Sequence, residues 1–283
     1  MATSLARMLN VVDMFSENAP VWTVDEIAVK LGYTRATAYR YVGELCDAGL
    51  LTRVAQGAYA LGPRILELDL QIRRSDPLLK AAGDAMQDLL RPNRGQVVLL
   101  CSLFRDKVLC THQAGHDKEL ALSYTRGRPM PLFRGATSKV ILAFLPERRL
   151  TRLYLENQQE IRKAGLGSSR EEFLANLKVI RRQGCAITEA EVDPGVVGIG
   201  VPIFGGERSV IGSLSIVFPA KRYPRNRIDQ VVSALEQAAR TVHVELAKLA
   251  RTHPSTGGGI PDGRKTRQTA RQRLRHPSPR TNP

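Results

Sequence analysis

The sequence has little of several things that would assign a protein to a class at once. Its 283 residues contain four cysteines, Cys46, Cys101, Cys110 and Cys185, and no two of them form a CxxC pair. Such spacing favours reduced thiols over a disulfide framework. No run of about 18 or more apolar residues occurs, so we expect no membrane span. The opening stretch, MATSLARMLNVVDMF, lacks a basic region followed by an uninterrupted apolar run, which predicts no signal peptide and a cytoplasmic location.

A recognisable catalytic or metal-binding set is also missing. His112 and His116 lie near Cys110, but no set of nucleophile, base and orienting group can be read from the spacing. A zinc site built from Cys101, Cys110, His112 and Cys185 would match no recognised ligand spacing. The run GVVGIGVPIFGG is typical of a strand with no helix after its glycines, which argues against a dinucleotide site. We therefore predict no enzyme, no metal and no cofactor.

Acidic residues are scarce relative to basic ones, at 27 against 42, and the net charge is +15. This excess predicts a polyanionic partner. Residues 1–63 hold five basic and six acidic residues, residues 64–250 hold 29 and 20, and residues 251–283 hold eight and one. The last segment is rich in Pro, Gly, Ser, Thr and Arg, which predicts a disordered basic tail. Such a tail either adds non-specific phosphate contacts or serves only solubility.

The first sixty residues contain the pattern of three short amphipathic helices. Helical spacing of apolar residues predicts a first helix with its apolar face at Leu5, Met8, Leu9, Val12 and Phe15. Thr23 stands three residues before Glu26, which is the capping box of a second helix that ends at Gly32. Thr34 caps a third helix, whose buried side we expect at Ala38, Val42 and Leu45. Helices joined by so short a turn are typical of a helix-turn-helix.

A hairpin follows the third helix directly. We expect strands over Leu51–Ala55 and Ala58–Leu61 with Gln56 and Gly57 in the turn. A hairpin in this place is a wing, and the third helix would lie in the major groove of DNA. Tyr41 belongs to the segment of this helix that we expect to face outward. The residues predicted to contact DNA are Thr34, Arg35, Thr37, Ala38, Tyr39, Arg40, Arg53 and Gly57.

An apolar stripe at Leu61, Ile65, Leu68 and Ile72 predicts a linking helix over residues 64–77. The stripe is either a dimer seam or a face that packs on its own chain. We favour dimerisation, because one small head reads only about half a site and needs a second head for specificity.

The rest of the chain has the pattern of an α+β domain. We expect helices over residues 78–91, 136–145, 147–157 and 226–249, and strands over 96–104, 107–114, 119–127, 185–192, 196–204 and 209–218. A further helix opens with a capping box of Ser168 or Ser169 with Glu171 or Glu172. An antiparallel sheet with helices on its faces is typical of a sensor-like module. The predicted organisation is a winged helix-turn-helix at 1–63, a linker helix at 64–77, a sensor domain at 78–250 and the tail at 251–283.

Taken together, these segments resemble the IclR family of transcriptional regulators. The head at 5–63 resembles the DNA-binding domain of that family. Three later segments resemble its effector-binding domain: GRPMPLFRGATSKVILAFLP (127–146), GCAITEAEVDPGVVGIGVPIF (184–204) and VIGSLSIVFP (210–219). The resemblance implies a GAF-like fold for this domain and a homodimer or dimer of dimers. It also implies a near-palindromic double-stranded DNA operator and a small organic effector that shifts promoter affinity.

The resemblance also implies where the effector binds, between the sheet and the loop before the first long helix of the domain. Carried over by position, the effector-binding residues are Phe133, Arg134, Gly135, Ala136, Thr188, Glu191, Gly198, Ser215 and Val217. Members that bind small oxo-acids tend to carry an acidic residue, a Cys and two Ser at the positions of Thr188, Gly198, Ser215 and Val217, and only Ser215 agrees. The loop also reads RGATSKV here, where ATALGKA is usual.

Loss of polar groups from a buried site disfavours a compact polar ligand. We therefore expect a larger, partly apolar organic acid, with an aromatic acid as a candidate. Arg134 either receives its carboxylate or is a solvated loop cation. The alternative function is a DNA-binding regulator that takes no small molecule and responds to a protein partner.

Overall fold

The structure is a computed structural model that describes residues 3–90, 95–118, 120, 122–206 and 209–252. The predicted disordered tail lies outside the described residues from position 253 onward. The chain divides into two compact units, the first ending at Lys80 and the second beginning at Ala81. Over the described ranges, no helix combines the length and the apolar composition needed to cross a membrane.

The first unit, called the head below, is a helix-turn-helix with a three-stranded sheet. Its elements are α1 (Ser4–Val12), β1 (Trp22–Thr23), α2 (Val24–Leu31), α3 (Arg35–Asp47), β2 (Leu51–Ala55), β3 (Ala58–Leu61) and α4 (Arg64–Ser75). The sheet is antiparallel in the order β1-β3-β2. Both strands of the predicted wing are confirmed at their predicted bounds, whereas the short β1, which pairs with β3, was not predicted.

Local signals set the helix-turn-helix. The Thr23 side chain accepts the amide of Glu26, and the Glu26 carboxylate accepts the amide of Thr23 at 2.8 Å, so the predicted capping box is confirmed. Gly32 ends α2 in the left-handed region, at φ 64° and ψ 39°, which glycine adopts without a steric penalty. Thr34 then caps α3 through a 3.3 Å bond from the amide of Thr37.

The apolar face predicted for α1 is wrong in part. Leu5 is 70% exposed and Leu9 55%, whereas Val11, which the prediction omitted, is completely buried. The helix also ends at Val12, so Phe15 lies outside it. Met8, Val12 and Phe15 do pack against the core of the head, so Val11 joins them on the buried side, whereas Leu5 and Leu9 lie outside it.

The linking helix α4 has no buried residue. In the predicted stripe, Leu61, Leu68 and Ile72 are each more than two-fifths exposed. Ile65, the fourth residue of the stripe, is partly buried. Both alternatives, a dimer seam and packing on the same chain, therefore stay predictions.

The second unit is built around one six-stranded antiparallel sheet. Its strands are β4 (Val97–Phe104), β5 (Lys107–Ala114), β6 (Pro129–Met130), β7 (Ala186–Glu189), β8 (Val196–Phe204) and β9 (Val210–Pro219). Its helices are α5 (Pro77–Leu89), which begins before Ala81, α6 (Ala136–Ala143), α7 (Glu147–Glu156), α8 (Gln158–Lys163), α9 (Arg170–Gln183) and α10 (Ile228–Thr252), with short 3₁₀ turns at Ala220–Arg222 and Arg225–Arg227. The strand order is β6-β5-β4-β9-β8-β7.

The two faces of this sheet carry different helices. Alternate residues of a strand face opposite sides. Leu99 and Val217 belong to one apolar core with residues of α6, α7 and α9. Ile216 and Phe218 face the other side, where they line a small cavity with residues of α10 and the last turn of α5. The sheet is therefore covered on both faces, as the α+β prediction requires.

Two predicted elements of this unit need correction, and one helix was not predicted. The strand expected over 119–127 is not formed at the described residues of that stretch, and Pro129–Met130 pairs with β5 instead. The strand expected over 185–192 covers only Ala186–Glu189, because Ala190 turns the chain with φ 52°. The helix α8 was not predicted. The cap of α9 is confirmed, with Ser169 accepting the amide of Glu172 at 3.1 Å.

Candidate nucleic-acid interface and ligand pocket

The start of α3 presents exposed polar groups beside its own N-terminal amides. The hydroxyls of Thr34 and Thr37 are 2.8 Å apart and hydrogen-bonded to each other. Arg35 is exposed and turns back to α2, where its Nε lies 2.8 Å from Asp25 Oδ1 and its Nη2 lies 3.1 Å from Oδ2. Its guanidinium carbon is also 5.7 Å from the centre of the Tyr39 ring. Asp25 and Tyr39 thus both contact the Arg35 side chain. The sequence analysis predicted neither contact.

Two residues of α3 that were predicted to face outward face inward. For Ala38 the other prediction, a place on the buried side with Val42 and Leu45, is confirmed. Ala38 is completely buried in the core of the head, so it has no surface with which to contact DNA. Tyr41 is buried as well, and its hydroxyl is 3.0 Å from Ser4 Oγ. Tyr39 and Arg40 are exposed as predicted. The helical period explains the correction, because Ala38, Tyr41 and Leu45 recur at three and four residues and share one face.

The wing carries the remaining predicted DNA contacts. Arg53 on β2 is exposed, and its Nε donates to the carbonyl of Ala55 at 3.3 Å. Gly57 forms the tip of the hairpin with φ 73°, a value that favours glycine.

A cavity of about 50 Å³ lies between the sheet and the start of α6. Leu99, Leu122, Met130, Val192 and Val196 give it apolar walls. Among the predicted effector-binding residues, those that line it are Gly135, Ala136, Thr188, Glu191, Gly198 and Val217. These residues come from four separate segments of the chain, and the fold brings them together.

Polar side chains of the cavity wall bind the first turn of α6. The amide of Gly135 donates to Glu191 Oε2 at 2.9 Å, and the amide of Ala136 donates to Thr188 Oγ1 at 3.0 Å. The other oxygen of Glu191 lies 2.5 Å from Nζ of Lys139. The first amides of a helix have no hydrogen-bond partner within the helix. The side chains of Glu191 and Thr188 supply these partners here. Lys139 was not predicted, although it stands in the quoted loop RGATSKV.

Close approach of α6 to the sheet depends on glycine in β8. A Cβ atom at Gly200 would lie 2.9 Å from Ser215 Oγ and 3.2 Å from the carbonyl carbon and oxygen of Ala136. Gly198, two residues earlier on the same face, lines the cavity itself. Gly200 therefore allows the helix start to sit directly on the sheet.

Three predicted effector residues do not line the cavity. Ser215 is buried behind it, where its hydroxyl lies 2.9 Å from that of Thr137, a lining residue. The Phe133 ring packs edge-on against Phe173 at 6.4 Å and belongs to the core. Arg134 is exposed. Phe133 and Arg134 lie in the turn before α6, where their side chains take different directions, one into the core and one to solvent.

The opposite wall contains two residues that the sequence did not suggest. Asp193 is buried and accepts the amide of Ser123 at 3.0 Å, and the Ser123 hydroxyl donates to its other oxygen. Tyr124 lines the cavity beside it. Burial, together with the nearby Asp193 carboxylate, raises the pKa of the Tyr124 hydroxyl, so the phenol stays neutral and able to donate a hydrogen bond.

A larger open groove of about 750 Å³ lies between α10 and β8, lined by residues that include Phe144, Phe204 and His243. It contains none of the predicted site residues. The smaller cavity is the better candidate site, because polar groups converge there on apolar walls.

The cysteines do not converge into a ligand set. Cys101 and Cys110 face each other across β4 and β5 and are both buried, whereas Cys46 and Cys185 are partly exposed. Within the part of the chain that the structure describes, no three side chains of His, Cys, Asp or Glu are grouped closely enough to hold a metal ion.

Comparison with known proteins gives two family matches. The family described as bacterial transcriptional regulator IclR C-terminal matches residues 71–244, and the IclR helix-turn-helix domain matches residues 4–55. A protein of Halobacterium salinarum, named as the probable HTH-type transcriptional regulator ArcR, is 27% identical over 247 residues, which cover 86% of this chain and 94% of that protein.

Solved structures share the fold. The crystal structure of an IclR regulator from a Silicibacter species has a TM-score of 0.72 at 20% identity, covering 86% of this chain and 96% of the other. An IclR homologue from Microbacterium hydrocarbonoxydans, crystallised with 4-hydroxybenzoate, has a TM-score of 0.69 at 23% identity, covering 87% of this chain and all of the other.

Proposed function

Since this chain belongs to the IclR family and is a DNA-binding transcriptional regulator, we propose that it controls a catabolic operon in the cytoplasm in response to a small organic acid. The observation that carries the proposal is the cavity at the start of α6. The Thr188 hydroxyl and the Glu191 carboxylate, which bind backbone amides at the start of α6, meet apolar walls there, and this is the composition of a small-molecule site.

The apolar walls favour an acid with an apolar body. The homologue from Microbacterium hydrocarbonoxydans holds 4-hydroxybenzoate, which supports an aromatic acid as the first compound to test. A dry apolar cavity that binds benzene has a volume of about 150 Å³. The present cavity of about 50 Å³ is smaller, so an aromatic acid has to widen it.

For DNA, the proposed contacts are the members of the predicted set that are exposed or half-buried, which leaves out Ala38. Thr34, Arg35, Thr37, Tyr39 and Arg40 would enter the major groove, and Arg53 and Gly57 of the wing would contact the backbone or the minor groove. Two heads, spaced one helical turn or a multiple apart, would read a near-palindromic operator. The exposed apolar side chains of α4 support a homodimer or a dimer of dimers as the unit that presents these heads.

The proposed mechanism is allosteric. The effector binds one of two arrangements of the heads better than the other and so shifts their balance. By linkage, operator DNA must change effector affinity by the same factor. Such couplings are typically about 1–3 kcal/mol, or roughly 5- to 150-fold.

Two measurements test the proposal. A footprint with a salt-titrated mobility shift, on the DNA upstream of the gene, compares the full chain with a chain ending at residue 250. We expect both forms to protect one near-palindrome. Protection that needs the tail and ignores sequence would contradict base reading by the head.

Calorimetry with a panel of acids tests the effector. We expect stronger binding of 4-hydroxybenzoate than of pyruvate, and a matching rise in the melting temperature. Heats no larger for aromatic acids than for pyruvate would contradict the aromatic assignment. No heat and no melting shift with any acid would favour a protein partner as the signal.

A further inference from the structure

The first turn of α6 is already occupied by an acid, and that acid belongs to the chain. A helix start leaves its first amides without partners and favours a negative charge, which makes it a ready site for a carboxylate. Here Glu191 Oε2 accepts the amide of Gly135 at 2.9 Å, while Thr188 Oγ1 accepts that of Ala136 at 3.0 Å.

Glu191 also holds the nearest cation. Its Oε1 lies 2.5 Å from Lys139 Nζ, and the side chains are 10% and 28% exposed for Lys139 and Glu191. Hydrogen bonds to charged partners in such a shielded place are stronger than neutral ones. The Gly135 amide and the Lys139 ammonium are therefore engaged by Glu191, and the Ala136 amide by Thr188, so these groups cannot receive an effector carboxylate without a displacement.

The same turn also carries an unmet polar group. The hydroxyl of Ser138 is completely buried and has no hydrogen-bond partner among the described residues. Buried hydroxyls without a partner are rare, because each one costs free energy. The chain by itself thus does not satisfy all the polar groups of this turn.

The charged groups of the cavity wall determine how an organic acid can bind there. Glu191 and Asp193 place two carboxylates on the cavity wall, and the cation in contact with Glu191 is Lys139. A third carboxylate placed beside them would be disfavoured by like-charge repulsion. Exchange of one carboxylate for another leaves the charge of the site unchanged.

From this geometry we infer that Glu191 is an internal competitor of the effector, so that an organic acid binds by displacing the Glu191 carboxylate from Lys139 and from the start of α6. The inference rests on the proposed function. Exchanging one carboxylate for another changes the binding free energy little. The net affinity therefore comes from contacts of the acid's apolar body with Leu99, Met130 and Val217. Glu191 therefore sets the specificity, rejecting small acids and admitting acids with an apolar body.

The test uses the full chain and three probes: 4-hydroxybenzoate, its uncharged analogue 4-hydroxybenzamide, and acetate. Glu191→Gln keeps the shape of the side chain but removes its charge and frees Lys139. We expect it to tighten 4-hydroxybenzoate about tenfold, which is the effect of about one charged hydrogen bond, and to make acetate binding measurable. Binding of the amide should change less than about twofold, since it carries no charge to compete.

Glu189→Gln is the matched control. Glu189 is on the adjacent strand, is exposed and pairs with Arg225 at 3.4 Å, so its replacement removes the same charge outside the cavity. Thr188→Val is the second variant, because it frees the Ala136 amide without a change of charge. It should tighten 4-hydroxybenzoate by a smaller factor than Glu191→Gln does, and it carries the test if Glu191→Gln does not fold by circular dichroism.

The outcomes separate the two proposals. If the wild-type chain binds 4-hydroxybenzoate and Glu191→Gln weakens the acid and the amide equally, Glu191 is only a helix cap, and the inference is wrong while the proposed function stands. If neither the wild-type chain nor any folded variant binds any probe, the organic-acid effector and the inference both fail.

Discussion

The two units differ in where their proposed functional residues lie. In the head, Arg35, Tyr39 and Arg40 are exposed on one helix, and a small core behind them holds that helix in place. In the second unit, Lys139 and Glu191 come from distant segments and meet in a largely enclosed place. A surface site can be predicted from the periodicity of one helix, whereas an enclosed site needs the pairing of strands and the packing of a helix upon them.

The two units should also differ in how a substitution at a functional residue affects them. Replacing an exposed residue of the head removes one contact with a partner and leaves the core intact. Replacing an enclosed polar residue of the second unit leaves its former partner buried and unpaired, which costs folding free energy as well as ligand contacts.

The largest effect is expected from the core of the head. Leu45 is fully buried in α3, so Leu45→Ala should lower the free energy of unfolding by about 2–5 kcal/mol through lost burial and a cavity. Urea unfolding followed by the fluorescence of Trp22, the single tryptophan, reports on this unit directly. Glu44→Gln, at the exposed neighbouring position, should leave the transition in place. Equal midpoints for the two variants would mean that α3 does not depend on this core.

The enclosed ion pair of the second unit should come next. Lys139→Met leaves the Glu191 carboxylate with its helix amide but without its cation, and we expect a loss of about 1–3 kcal/mol. The measurement is urea unfolding followed by circular dichroism. Lys178→Met removes the same charge from an exposed site on α9 and serves as the control. A loss no greater than that of the control would show that the pair contributes nothing to folding.

Arg35→Ala and Arg40→Ala should leave stability unchanged and weaken DNA binding. If the residue reads a base, the loss is about 1–3 kcal/mol on the operator and absent on random DNA. An equal loss on both, with the salt dependence lowered by about one charge, would assign it to a phosphate. Fluorescence anisotropy at several salt concentrations separates these results. Lys30→Ala, an exposed cation on α2 outside the proposed contacts, is the control.

The smallest losses of stability should come from removing one helix cap in each unit, and the two losses should be similar in size. Thr23→Ala and Ser169→Ala each remove a partly exposed cap, and each should cost about 1 kcal/mol. Capping depends on residues within one turn, so the larger context should matter little. Unequal losses well beyond a factor of two would show that tertiary packing adds to one of the caps.

The cap of α2 also predicts a pH effect. The backbone amide and then the hydroxyl of Thr23 lower the pKa of Glu26. A lowered pKa stabilises the head above the ordinary pKa of Glu26, and this stabilisation is lost as the pH falls through the lowered value. Thr23→Ala should move the pKa of Glu26 back toward its usual range, as an NMR titration of that carboxyl would detect. An unchanged titration would mean that the backbone amide alone sets the pKa.

Sequence reasoning succeeded where the deciding contacts are local. The capping box of α2, the Ser169 cap of α9, the turn at Gly32 and the hairpin at Gly57 each depend on a few consecutive residues. It failed for the strand expected over 119–127, because apolar alternation in that stretch did not lead to pairing, and Ser123 instead binds Asp193, 70 residues away. The domain boundaries and the residues proposed for DNA and effector binding stay predictions.

By itself, the sequence determined the helix-turn-helix, the wing and the family to which the chain belongs, because caps, turns and short periodic segments act within a few residues. Tertiary structure decided that Val11 rather than Leu5 faces the core of the head and that Tyr41 points inward. It also decided that Glu191 reaches Gly135 and Lys139, which precede it by 56 and 52 residues. No local pattern encodes such a contact, since it exists only when β7, β8 and β9 pair in register and α6 packs upon them.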